Sequence, residues 1–136
     1  MNLTKFAKEV HENAVAHGWW EEERPFPEII ALCHSELSEA LEEYRSDKPD
    51  FYLVVSDPDR AEFLTDVVGV PAEYRPEKPD RIKIIPKPEG VATELADCII
   101  RILDWCGKND IDIERIMQKK HEYNKTRPYR HGGKKA

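Results

Sequence analysis

The sequence predicts an all-α domain of four helices, interrupted between the second and third by a proline-rich, partly β insert. Three observations lead there. The chain has 136 residues, which suits one domain and leaves no room for a second of ordinary size. Apolar residues recur at helical spacing in four separate segments. Seven of the ten prolines fall within residues 46–88, where a long helix is therefore excluded.

Helix one covers residues 3–17, with Leu3, Phe6, Ala7, Val10 and Ala14 on one face, Asn2 as N-cap and Gly18 as the stop. A linker, WWEEERPFP, follows. Helix two starts near Pro27 and reaches Tyr44 or Arg45, carrying Ile29, Ile30, Cys33, Leu37, Ala40, Leu41 and Tyr44. Helix three runs from about Glu89 to Cys106 and ends at Gly107. Helix four begins near Ile111, behind an Asn109–Asp110 capping pair, and ends at Lys125 ahead of Pro128. Within the insert, FYLVV at 51–55 and RIKII at 81–85 are β-prone and could pair as a ribbon, with a short helix over 60–67 between them. So long a segment is expected to be ordered, as a lid, an arm or a wall.

Composition narrows the functional classes. MNLTKFAKEVHEN lacks the apolar stretch of a signal peptide, and the longest apolar run, 98–103, is broken by Arg101, so no membrane span is expected. Three cysteines (Cys33, Cys98, Cys106) without zinc-type spacing read as buried thiols of a cytoplasmic protein. The net charge of -6 argues against stable nucleic-acid binding. Its distribution is uneven, because Lys119 to Ala136 carries seven Lys/Arg against Glu122 alone. Such a tail is either a solvated end or the complement of an anionic ligand.

Two carboxylate pairs stand out. Helix two carries Glu36 and Glu39, and helix three carries Glu94 and Asp97. Each pair, spaced i, i+3, lies on one face of its helix. Side by side, the two helices would bring four carboxylates together, and like charges so close need a cation between them. A hard divalent ion, most simply Mg²⁺, prefers such oxygen ligands. The same spacing, continued through Arg101 and Asp104, also fits a plain solvent stripe. Other metal and phosphate chemistries drop out: no His lies three residues after a Glu, and there is neither HExxH nor a GxxxxGK[ST] loop.

Helix four and its exit place Lys120, Asn124 and Arg127 along one line, a combination of donors that suits polyphosphate. Gly132–Gly133 would let the tail fold over such a ligand. Of the adjacent Trp19 and Trp20, one is expected to be exposed, and Trp20 is a candidate to stack on a base. A lid or subunit contact fits the pair equally.

The segments HSELSEALEEYR, KPEGVATELADCIIRILDWCG and KKHEYNKTRPYRHGGKK, in this order, resemble the MazG-like all-α nucleoside triphosphate pyrophosphohydrolases. The matching positions are Glu36 and Glu39, Glu94 and Asp97, then Lys120, Asn124 and Arg127. The chain departs from the family pattern at Ser35, where a doubled Glu is frequent. The resemblance implies a four-helix MazG-like bundle over residues 1–136, with 46–88 inserted and 127–136 as a basic tail. It implies hydrolysis of a (deoxy)nucleoside triphosphate to the monophosphate and pyrophosphate in the cytoplasm, dependent on Mg²⁺ or Mn²⁺. Glu36, Glu39, Glu94 and Asp97 would hold metal, with Glu36 or Glu39 activating water. Lys120, Asn124 and Arg127 would bind substrate, beside Trp20 as the stacking candidate already read from the tryptophan pair, and the protein would be a homodimer or homotetramer. Rival expectations are a non-catalytic helical interaction module, and the same fold acting on another nucleotide such as phosphoribosyl-ATP.

Overall fold

The computed structural model describes residues 1–57, 60–64 and 86–130. Four helices and one three-stranded sheet make up these residues. The chain divides into two compact units, Met1–Pro25 with Ile100–Ala136, and Phe26–Ile99.

The first unit holds α1 (Leu3–Ala16), the second half of α3 (Val91–Lys108) and α4 (Ile113–Lys125). Asn2 caps α1, its side-chain oxygen accepting from the Lys5 amide at 2.9 Å, and Gly18 follows the helix at φ 81°. Ala7, Leu103 and Cys106 form a buried cluster, with Phe6, Val10, Trp105, Ile111 and Ile113 packed around it. Gly107 was expected to end α3, yet the helix runs through it to Lys108. A Cβ at 107 would strike the Ala7 carbonyl oxygen and the His11 Cβ, so the glycine serves close packing of α1 rather than termination.

The start of α4 also differs from the sequence expectation. Its N-cap is Asp112, whose carboxylate accepts from the Arg115 amide at 3.2 Å. Asn109 instead donates its side-chain amide to the Trp105 carbonyl at 2.8 Å, and Asp110 takes a left-handed φ of 55°, so this pair finishes α3. Thr4 braces the two N-termini. Its hydroxyl donates to Asp112 at 2.7 Å and accepts from the Glu114 amide at 3.1 Å, while Glu114 accepts from the Leu3 amide at 2.9 Å. Amides that each helix leaves unpaired at its first turn are thus satisfied by the other.

The second unit holds α2 (Phe26–Arg45), the first half of α3, and strands β1 (Tyr52–Asp57), β2 (Arg60–Leu64) and β3 (Lys87–Glu89). The strands lie in the order β2-β1-β3, both pairs antiparallel. The buried positions of α2 are Ile29, Cys33, Glu36 and Ala40, one helical stripe at spacings of 4, 3 and 4. Glu36 therefore stands on the buried face of the helix.

The insert departs most from expectation. Residues 60–64 form a strand, where a short helix was expected over 60–67, and pair with β1 from Leu53↔Leu64 to Asp57↔Arg60. Two apolar runs separated by two residues favour a hairpin over a helix. The other partner of β1 is β3, with Tyr52↔Glu89 and Val54↔Lys87 in register. The expected strand 81–85 lies outside the described residues, as does the Gly132–Gly133 hinge. Because 87–89 is taken into the sheet, α3 starts at Val91 rather than Glu89. Gly90, at φ 105°, makes that turn where a Cβ would strike the Asp50 carbonyl oxygen, which accepts from the Ala92 amide at 2.9 Å. Among the described residues, no helix is long and apolar enough to cross a membrane.

Candidate functional site

Three of the four expected carboxylates meet in the second unit. Glu36, Glu39 and Glu94 each present an oxygen, and these oxygens lie within 4.8 Å of one another. Glu36 is only 6% exposed and Glu94 9%, whereas Glu39 is exposed. The burial follows from the helices: Glu36 shares the stripe of Ile29, Cys33 and Ala40, and Glu94 lies one turn before buried Cys98. Asp97 is half-buried and acts on Glu94 through its charge.

Electrostatics marks Glu94 as the strained member. Its pKa is raised from 4.5 to about 7, foremost by burial. A hydrogen bond to Glu39 and the charges of Glu39, Asp97 and Glu36 push the same way. Desolvation and like charge both disfavour the ionised form. A proton or a cation at the cluster would relieve that repulsion. The donor set fits a hard divalent ion: it is all carboxylate oxygen, and oxygens about 2.1 Å from an octahedral ion stand roughly 3 to 4 Å apart.

A second triad adjoins the first. Glu43, Glu89 and Glu94 also bring oxygens within 4.8 Å, so Glu94 is common to both groups. Tyr52, buried on β1, donates its hydroxyl to Glu43 at 3.0 and 3.3 Å. Lys87 binds Glu89 at 2.6 Å, and this contact foremost raises the lysine's pKa. None of Glu43, Tyr52 or Glu89 was a candidate from sequence. Glu43 had a signal, lying seven residues after Glu36 and so on the same helical face. Tyr52 and Glu89 arrive through strand pairing, which leaves no local mark.

The expected substrate residues lie in the first unit. Lys120 and Asn124 are exposed on α4, and Arg127 is half-buried just beyond it. The Lys120 ammonium sits 4.9 Å from the Tyr123 ring centre. Trp20 has other partners: its indole N–H donates to Asp104 at 2.9 and 3.1 Å, and the Lys108 ammonium lies 4.3 Å from its ring. The same Asp104 carboxylate meets His11 Nδ1 at 2.8 Å. These contacts tie the linker to α3, and the exposed indole is Trp19. Asp104, which continued the stripe of Glu94 and Asp97 in sequence, is therefore a partner of the linker.

Against models of protein families, curated proteins and solved structures, the chain has no match.

Proposed function

We propose that the chain is a Mg²⁺-dependent nucleotide pyrophosphohydrolase built as a MazG-like bundle. It would hydrolyse a (deoxy)nucleoside triphosphate to the monophosphate and pyrophosphate. The observation that supports this most is the convergence of Glu36, Glu39 and Glu94 from two helices, with Glu94 held at a pKa near neutrality. Glu36, Glu39, Glu94 and Asp97 would hold the ion, and Mn²⁺ should substitute. When bound, such an ion supplies positive charge for phosphate oxygens and acidifies water.

The chain's own groups divide the remaining work. Glu39, exposed where Glu36 is buried, is the carboxylate that water reaches, and it takes the proton as water attacks the α-phosphorus. The bond to the β-phosphate then breaks and pyrophosphate leaves. Lys120, Asn124 and Arg127 neutralise the triphosphate and the charge growing on that leaving group. Three buried cysteines, none of them in a disulfide, suit a reducing cytoplasm. Exposed Leu95, Ile99 and Ile102 on α3, with Ile30, Leu37 and Leu41 on α2, suit burial by a second copy in a homodimer or homotetramer.

The test is a panel of nucleotides, phosphoribosyl-ATP included, with Mg²⁺ or EDTA, scored for pyrophosphate. Glu94→Gln and Asp97→Asn should lose most turnover while keeping the fold. Wild-type turnover in either variant would remove it from the ligand set. No pyrophosphate from any nucleotide, together with no Mg²⁺ binding, would favour a non-catalytic interaction module.

A further inference from the structure

The inserted sheet reaches the acidic cluster through one rung of its ladder. Tyr52 on β1 and Glu89 on β3 are direct cross-strand partners, so their side chains leave the same face of the sheet. The first meets Glu43 of α2, and the second joins Glu43 and Glu94. Taking the cation-site reading above as its basis, we propose that Tyr52 is a positioning residue, whose hydroxyl fixes Glu43 against Glu94 and so sets the site's affinity for a divalent cation.

The geometry suits that role. Tyr52 is 3% exposed and its neighbour Leu53 is also buried, so the ring is held by packing and the hydroxyl cannot wander. It forks to both oxygens of Glu43, which fixes the carboxylate plane as well as its position. Burial, then the bond to Glu43, pushes the phenol up to about 12, and the group remains a donor at every physiological pH. A donor aimed at Glu43 also offsets its repulsion from Glu89 and Glu94. Lys87, bound to Glu89 from the same strand, offsets more. The insert is then a wall of the acidic site, not a decoration on a bundle that would work without it.

Partners that orient metal ligands typically matter ten- to a hundredfold in affinity. Tyr52→Phe keeps the ring and removes only the hydroxyl. Calorimetric titration of the full chain with Mg²⁺ alone, free of nucleotide, should show about tenfold weaker binding or worse. Thermal melting in EDTA should change little by comparison. Glu43→Gln should weaken Mg²⁺ similarly, and adding Tyr52→Phe to it should cost nothing further, since the tyrosine acts through Glu43. Wild-type affinity in Tyr52→Phe overturns the proposal. Should that variant fail to fold, unchanged affinity in Glu43→Gln overturns it instead. If Mg²⁺ binds the wild type, is lost in Glu94→Gln and is kept in Tyr52→Phe, only the positioning role falls. If the wild type binds none, the cation site falls with it.

Discussion

The raised pKa of Glu94 makes stability depend on pH in a direction opposite to that of most carboxylates. Its folded form binds the proton more tightly than the unfolded chain does, since the pKa moves from 4.5 to about 7. Stability from this group is therefore fully present below pH 4.5 and drains away as pH rises through 7. A shift of that size corresponds to roughly 3 kcal/mol at most. Residual solvent at a site 9% exposed, and relaxation of its neighbours, bring the expected effect to about 1 to 3 kcal/mol. Glu94→Gln removes the titration and leaves a neutral side chain of equal size. Urea unfolding of both proteins in EDTA, from pH 4.5 to 8, should show the variant gaining on the wild type by that amount as pH rises. Adding Mg²⁺ at about a hundred times its dissociation constant should return roughly 2.7 kcal/mol to the wild type and much less to the variant. A difference between the two proteins that stays constant across the pH range would refute the electrostatic reasoning.

Other outcomes follow from single contacts. Gly107→Ala should destabilise by about 1 to 3 kcal/mol through overpacking against Ala7 and His11, despite alanine's higher helix propensity; thermal unfolding measures it. Asn2→Ala removes the α1 cap and should cost about 1 kcal/mol in denaturant unfolding. Trp20→Phe leaves Asp104 without its indole donor and should cost about 1 to 3 kcal/mol, with Mg²⁺ binding unchanged by calorimetry. In an ultraviolet pH titration, Tyr52→Phe should delete a tyrosine that ionises near 12.

The helices were legible because each carries its own evidence. Apolar spacing located all four, and Asn2 did cap the first. Boundaries failed where a residue's job was tertiary: Gly107 reads as a stop in sequence and acts as a packing site against α1, while Asn109 and Asp110 serve the helix before them. The Glu36–Glu39 and Glu94–Asp97 pairs could be found because i, i+3 spacing is local. Their burial could not, since Glu36 had first to be seen as a member of the Ile29–Cys33–Ala40 stripe. The sheet was the least legible part. Its pairings join β1 to segments on both sides, and Tyr52 meets Glu89 across a sequence gap that no periodicity spans.

The turn at Gly90 bears on how long the inserted chain can be. Asp50 and Gly90 are in contact, with the Asp50 carbonyl bonded to Ala92, so the excursion leaves and returns through a single doorway. A loop whose ends are already joined is cheap to resize, because doubling its length costs only about 0.6 kcal/mol in closure entropy. Closure entropy alone therefore sets little limit on the number of residues between Val54 and Lys87. A trimmed chain that crosses from Val54 to Lys87 by a tight turn would retain Tyr52 and Glu89, and with them the wall of the acidic site.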